Sequence, residues 1–193
     1  MEQRISETNQ WIRNRRSSFF GQFIPGKKIP DEVVEAILEN ANHAPTHKRT
    51  EPWRFTVFTD KGLETLAAAQ AAIYKENAGE NFKQAAYDKL LSNPLKCSHV
   101  IAIGMKREGS IPESEEIAAV ACAVQNIYLS LDAYGIGGFW GTGGITYMEA
   151  GKEWLGLNRE DRLMGFFYLG YIQTPSAART PGPMSEKTRW VTS

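Results

Sequence analysis

Residues 113–140 read ESEEIAAVACAVQNIYLSLDAYGIGGFW and contain the strongest indications of the fold. The helix predicted over most of this stretch, to about Tyr134, is the longest and most apolar of the chain, and residues 118–124 make it apolar nearly all round. Such a helix is predicted to be buried on several sides. Gly135 is suited to the position just past a helix end, and residues 137–140 are predicted to form a strand that enters a glycine-rich turn.

Helical and strand-like segments alternate on both sides of this stretch, which indicates an α/β or α+β domain. Ser110 and Glu113 fit a capping box at the start of the long helix. Hydrophobic periodicity predicts further helices over 6–14, 31–42, 63–76, 82–92 and 147–155, and strands over 53–59, 99–105 and 162–173.

Composition excludes several classes of protein and partner. The chain has 193 residues, with 22 Lys and Arg against 22 Asp and Glu. A net charge of zero argues against nucleic acid as the main partner, because duplex binding relies on a dense cationic face. The longest apolar run, 117–124, is far shorter than a membrane span, and Cys97 and Cys122 cannot form a disulfide framework. Because residues 1–16 contain no apolar secretory core, we expect one cytoplasmic domain over 1–193.

The last twenty residues, 174–193, differ in composition from the rest. Pro175, Pro181 and Pro183 disfavour regular structure, yet the segment contains Trp190. Since a disordered tail seldom needs a tryptophan, we expect this segment to pack, on a partner subunit if not on its own chain.

Two segments resemble nucleotide-binding motifs, but each lacks a residue that its motif requires. Residues 21–28 match most of a phosphate-binding loop, but Lys28 stands where the magnesium-binding Ser or Thr belongs, and no apolar strand precedes the loop. The turn at 141–144 resembles half of a dinucleotide fingerprint, but Thr146 replaces its third glycine. The turn does expose backbone N–H groups, which can donate to a planar heteroaromatic ligand.

His43 and His47 are four residues apart, which is the spacing of paired metal ligands on a helix. Pro45 lies between them, so a helix interior is excluded. Two interpretations remain open beside a metal site: exposed loop histidines, or a pair of hydrogen-bonding groups that line a ligand pocket.

Arginines and serines meet at the end of the first predicted helix. Arg15 and Arg16 precede Ser17 and Ser18. This cluster is either a solvated helix end or a site for a phosphate monoester, since the planar guanidinium offers paired donors and the hydroxyl adds a neutral one. No nucleophile motif accompanies it, which suggests that a cofactor supplies the chemistry.

Several short motifs follow one another in order along the chain. They are RRS at 15–17, APTH at 44–47, PWRF at 52–55, QNIYL at 125–129, GIGGFW at 135–140, FYLGY at 167–171, and a cation at Arg179. In this order and spacing they resemble the nitroreductase family of FMN-dependent, NAD(P)H-using flavoproteins.

The resemblance implies an α+β fold with a mixed β-sheet flanked by helices, in an intertwined homodimer that exchanges its C-terminal tails (174–193). It implies two FMN sites at the dimer interface, NADH or NADPH as co-substrate, and a ping-pong hydride relay through flavin N5 to nitroaromatic, quinone or similar planar acceptors. The alternatives are a specialised reaction on the same fold, or a non-catalytic flavin-binding dimer.

The resemblance also assigns cofactor-binding residues. It places Arg15, Ser17 and Arg179 at the FMN phosphate with Arg16 close by, His43 and His47 at the flavin of the other subunit, and Trp140, Gly141 and Thr142 along the isoalloxazine, with a backbone N–H aimed at N5. Many members carry a basic residue two positions after the serine, where this chain has Phe19. The resemblance therefore assigns no donor toward flavin N1 and O2, a role that His43 or His47 could take.

Overall fold

The fold is described by a computed structural model that covers residues 1–193 and contains six α-helices and four β-strands. In chain order these are α1 (Glu2–Asn14), α2 (Asp31–Asn42), β1 (Trp53–Thr59), α3 (Lys61–Asn77), α4 (Gln84–Ser92), β2 (His99–Met105), α5 (Glu113–Ala133), β3 (Ile136–Gly141), α6 (Glu149–Trp154) and β4 (Arg162–Tyr171). Short 3₁₀ turns join several of them, among them Phe20–Gln22, His47–Arg49 and Pro94–Lys96. The α+β class predicted from the sequence is confirmed.

The four strands form one sheet in the order β1-β2-β4-β3. Every neighbouring pair is antiparallel. The expected mixed sheet is therefore not found within one chain, since a parallel pair would need a strand from outside it. Strand β3 lies at an edge of the sheet, beside the loop that follows α1, where Ser18 N–H donates to the Gly138 carbonyl at 3.0 Å.

Each face of the sheet carries its own layer of helices. Helices α2 and α5 pack on one face, which includes the buried side chains of Ile101, Ile103 and Phe167. Helix α3, with α4 beside it, covers the other face, which includes Val100 and Phe166. Because side chains alternate along a strand, neighbouring residues of β3 and β4 contribute to opposite layers.

Helix α5 is buried on one face only. Val120, Val124 and Ile127 point into the core, whereas Ile117 is 38% exposed on the outer side. The prediction of burial on several sides is thus wrong within one chain, although the residues do form a helix of the expected length.

Two helix starts differ from the prediction for local reasons. Pro112 occupies the cap position of α5, so Ser110 caps nothing, and the Glu113 carboxylate accepts from Arg162 Nε at 2.7 Å instead. Helix α4 begins at Gln84 rather than at 82, because the Lys83 N–H donates to the hydroxyl of Tyr74 at 3.0 Å.

Three other helices have different bounds. Helix α3 spans Lys61–Asn77 rather than 63–76. Helix α1 extends to Glu2, four residues before the predicted start, and buries none of its residues. Helix α6 is shorter than predicted and spans Glu149–Trp154. None of the helices has the length and apolar character needed to cross a membrane.

Candidate functional site

The segment after α1 places a cation and a hydroxyl beside the edge strand. Arg15 adopts an extended conformation (φ −53°, ψ 124°), which ends the helix and directs the chain along β3. Its guanidinium lies 5.0 Å from the ring centre of Tyr128 and donates no hydrogen bond within the chain. Arg15 thus presents a positioned cation whose donors are free for an anion.

Tyr128 on α5 connects this segment to β3. Its hydroxyl oxygen accepts from the Trp140 N–H at 2.8 Å and from Ser17 Oγ at 3.4 Å. The sequence motif included Tyr128 but gave it no role. The sequence could have indicated this role, because Tyr128 places a phenol on the flank of an otherwise apolar helix.

Arg16 has a different role from Arg15. Its guanidinium donates to the carbonyls of Arg13 at 2.6 Å, Arg15 at 2.9 Å and Ala177 at 3.2 Å. Arg16 therefore ties the start of the tail to the end of α1, and fewer of its donors remain for a ligand.

Arg179 forms no hydrogen bond with Arg15 or Ser17. It is exposed, and its side chain donates no hydrogen bond. The tail is nevertheless anchored nearby, because Ser176 Oγ donates to the Ser17 carbonyl at 2.7 Å. Arg179 follows Ala177 by two residues, which keeps its Cα within about 7 Å of the Ala177 Cα.

A cleft of about 390 Å³ lies where the end of α1, helix α5, strand β3 and the first tail residues meet. Arg15, Arg16, Tyr128 and Ser176 line it, with Asp132 as its only carboxylate. The side-chain charges that line it leave one net positive charge, which suits an anionic group.

The end of β3 separates two further cavities. Trp140 and Thr142 line a cavity of about 460 Å³ on the α5 side, whereas Gly141 and Gly143 line one of about 300 Å³ on the α3–α4 side. Trp140, Gly141 and Thr142 were expected along one planar ligand. They instead face alternate sides of the strand.

Backbone donors are free at this turn. The N–H groups of Thr142, Gly143 and Gly144 donate to no group of the protein. The Trp140 N–H is already used by Tyr128. A backbone donor for a ring nitrogen therefore comes from the residues after Trp140.

The two loop histidines lie apart from this cluster. His43 ends α2 and lies 3.4 Å from the Glu39 carboxylate, while His47 pairs with Glu115 of α5. Both side chains are at least half exposed. The chain contains no group of three or more His, Cys, Asp and Glu residues placed to hold a metal ion.

The loop that carries His47 holds three non-glycine residues in left-handed conformations, Lys48 (φ 51°), Arg49 (φ 57°) and Glu51 (φ 44°). Such strain persists only where the surroundings enforce it, and it is common at functional sites. Sequence patterns gave no indication of it, because none of these residues is a glycine or asparagine.

The best candidate for a nucleophile system does not form a catalytic site. Ser98 Oγ lies 2.9 Å from His99 Nδ1, and His99 Nε2 lies 3.0 Å from Asp31. Ser98 Oγ also accepts the Ile29 N–H at 2.7 Å, and the imidazole is 1% exposed. Cys97 is buried, and burial raises the pKa of its thiol. These groups join α2 to β2.

Comparison with known proteins agrees on one family. The family model described as "Nitroreductase family" matches residues 12–171. The Escherichia coli K12 protein YdjA, provisionally named an NAD(P)H nitroreductase, is 31% identical over 158 residues, which are 79% of this chain and 84% of YdjA. A nitroreductase-like family protein from Bacillus cereus superposes with a TM-score of 0.82 at 25% identity, over 96% of both chains. The FMN-dependent nitroreductase NfnB from Mycobacterium smegmatis, solved in complex with NADPH, superposes with a TM-score of 0.75 at 20% identity, over 97% of this chain and 99% of NfnB.

Proposed function

Because the chain belongs to the nitroreductase family, we propose that it is an FMN-dependent oxidoreductase that uses NADH or NADPH to reduce nitroaromatic, quinone or similar planar acceptors. The observation that carries the proposal is the continuous cluster Arg15–Ser17–Tyr128–Trp140. It joins a free cation to the turn whose backbone donors are also free.

The donor set fits FMN. Arg15 offers a charged donor to a phosphate, and Ser17 a neutral one once its hydroxyl exchanges the long 3.4 Å contact to Tyr128 for the phosphate, with Arg179 as a second cation from the anchored tail. The N–H groups of Thr142 and Gly143 are available to the edge of a flavin ring. Bound FMN supplies hydride transfer at its N5, and the chain contributes position, exclusion of water and hydrogen-bond donors.

The overall reaction on a nitro group balances without a protein acid or nucleophile. One NAD(P)H and one proton convert a nitro group to a nitroso group and water, and each half-reaction moves two electrons. This fits a site in which no side chain is arranged as nucleophile and base. NAD(P)H and the acceptor would bind one after the other at the same face of the flavin, in a ping-pong sequence.

The proposed assembly is a homodimer with exchanged tails. Met184 is 67%, Trp190 85% and Val191 75% exposed, and Ile5 and Ile12 of α1 are more than half exposed. A chain rarely leaves this much apolar surface uncovered. A second copy that receives the tail would cover it, and it would also bring the strained loop with His43 and His47 toward the other subunit's flavin.

Deleting residues 181–193 tests the dimer. We expect the dimer dissociation constant to rise at least about tenfold, because Trp190 and Val191 lose their burial on the partner. Sedimentation velocity over a range of concentrations measures it, with Trp190→Ser as a milder companion. An unchanged dissociation constant for the deletion would remove the tail from the interface.

The absorption spectrum of the purified protein tests the cofactor, followed by acid release of the chromophore and anaerobic titration with NADH and NADPH. One FMN per chain that either nicotinamide bleaches supports the proposal. FMN that neither nicotinamide reduces favours the non-catalytic flavin-binding dimer. Bleaching without turnover of nitroaromatics or quinones favours a specialised reaction, and a colourless protein that does not bind added FMN refutes all three.

A further inference from the structure

Tyr128 of α5 is held in one orientation by contacts on its aromatic ring. The Arg15 guanidinium lies 5.0 Å from the ring centre, and Phe167 of β4 meets the ring edge-on at 4.7 Å. Because Phe167 is fully buried, the phenol stands on a fixed support and reaches the outer edge of β3. The position of its hydroxyl group is therefore set by the packing of α5 on the sheet.

The hydroxyl oxygen of Tyr128 takes the place that a neighbouring strand would have at the free edge of β3. The backbone N–H and C=O of one residue point to the same side of a strand, and successive residues alternate. On the outer side, the Gly138 carbonyl accepts from Ser18 N–H at 3.0 Å, and the Trp140 N–H donates to Tyr128 at 2.8 Å. The outer edge of β3 is thus occupied as far as Trp140.

Thr142 is the next residue whose N–H faces outward, about 7 Å farther along at the rise of a strand. It is exposed, and its N–H donates to no group of the protein. Trp140 is fixed a second time, because its indole N–H donates to the Met164 carbonyl at 2.8 Å. Tyr128 thereby makes Thr142 the first outward donor that is available to the edge of a planar ring.

The same side chain also contacts the groups that we assign to the phosphate. A phenolic oxygen has two lone pairs and one proton. One lone pair accepts the Trp140 N–H, while the contact with Ser17 Oγ is long, at 3.4 Å. The face of the ring carries the guanidinium of Arg15. Tyr128 therefore joins the phosphate cation to the strand that ends at the ring donors.

We propose that Tyr128 is a positioning residue for FMN and acts through two neighbours. Its hydroxyl group occupies the Trp140 N–H, so that the flavin ring binds in the register of the Thr142 N–H. Its ring holds Arg15 toward the phosphate. The two ends of the cofactor are thus positioned from one point on α5. This inference rests on the proposed function and goes beyond it, because it gives a role to a residue that acts without having to contact the flavin ring.

Two substitutions at Tyr128 separate the role of the hydroxyl group from that of the ring. Tyr128→Phe keeps the ring beside Arg15 and removes the hydroxyl group, whereas Tyr128→Leu removes both. Quenching of flavin fluorescence gives the dissociation constants of each apoprotein for FMN and for riboflavin, which lacks the phosphate. We expect Tyr128→Phe to raise both constants about fivefold, the size of one hydrogen bond, and to leave their ratio unchanged. Tyr128→Leu should also reduce the preference for FMN over riboflavin about threefold, because Arg15 loses its support.

The amide resonances in the nuclear magnetic resonance spectrum provide a readout that a merely structural role would not change. In the isotope-labelled protein, FMN should shift the amide resonance of Thr142 and leave that of Trp140 nearly unchanged. In Tyr128→Phe the Trp140 N–H is free, so FMN should shift its resonance as well. Tyr134→Phe removes an exposed phenol from the end of the same helix and should behave like the unmodified chain.

Hydrogen exchange in the unmodified apoprotein keeps the test valid even if Tyr128→Phe does not fold. The Trp140 amide should exchange at least about tenfold more slowly than the Thr142 amide, because only the former is hydrogen-bonded. Equal exchange, an unchanged FMN affinity in Tyr128→Phe, or an unshifted Trp140 resonance in that variant overturns the inference. If FMN binds in these cases and NAD(P)H reduces it, the proposed function stands. An unmodified chain that binds no FMN ends both.

Discussion

Replacing Arg15 and Arg16 separately by alanine distinguishes a phosphate ligand from a structural arginine. In the fold, Arg15 contributes only its stacking on Tyr128, at 5.0 Å. That contact is worth about 0.5–1 kcal/mol at a partly exposed site, so Arg15→Ala should cost the apoprotein no more than about 1 kcal/mol of unfolding free energy. Two charge-assisted bonds to a phosphate are worth at least about 3 kcal/mol, so the FMN dissociation constant should rise about 100-fold.

Arg16→Ala should show the opposite balance. Arg16 donates to three backbone carbonyls, and one of them, Ala177, belongs to the tail. At about 0.5–1 kcal/mol for each bond, the apoprotein should lose about 1.5–3 kcal/mol. FMN affinity should fall less than about tenfold, because only the loss of a nearby charge acts on the phosphate.

The assay pairs two measurements on the same apoprotein preparations. Quenching of FMN fluorescence gives the dissociation constant, and urea unfolding followed by circular dichroism gives the unfolding free energy. If Arg15→Ala retains FMN within threefold of the unmodified chain, the phosphate assignment is wrong. Equal losses of affinity in both variants would mean that the cleft acts through its total charge and that neither arginine is a specific ligand.

Two further predictions concern the support of the site. Gly137→Ala would place a Cβ 2.7 Å from the Cβ of Ser18. Urea unfolding should show a loss of about 1–3 kcal/mol of unfolding free energy, together with weaker FMN binding. The control variant Gly21→Ala, whose Cβ would have no atom within 4 Å, should change the unfolding free energy by less than about 0.5 kcal/mol. Burial lowers the pKa of the His99 imidazole in the folded chain, despite its hydrogen bond to Asp31. As the pH falls, the unfolded chain therefore binds a proton at this histidine before the folded chain does. The stability due to neutral His99 should be complete above about pH 6.5 and decline as the pH falls below it, and thermal unfolding of His99→Gln should lack this component.

Local periodicity predicted the bounds of several elements closely. Helix α2 and strands β1 and β2 have the expected first and last residues, because their apolar spacing and the flanking proline or turn residues agree. The start of α5 could not be found in the same way. A capping box is a local pattern, whereas the salt bridge from Glu113 to Arg162 joins residues 49 positions apart.

The candidate site shows the same division between local and distant information. Motif order placed Arg15, Ser17 and Trp140 together, and the structure connects them. It could not reveal that Tyr128 makes the connection, since that depends on how α5 packs against β3. It also could not separate Arg15 from the adjacent Arg16, because their difference depends on a tail carbonyl more than 150 residues away.

The apolar Phe19 explains why positive charge on this side of β3 comes from another part of the chain. Phe19 lies 4.9 Å from Phe139, which in turn stacks on Tyr168, so a basic side chain at this position would interrupt a continuous apolar surface. Within one chain, His43 and His47 lie beside the carboxylates of Glu39 and Glu115. Lys89 and Lys96 reach the same side of the strand from α4 and the turn after it. The positive charge on this side of β3 therefore depends on how α4 packs against the sheet, and not on the motif that contains Phe19.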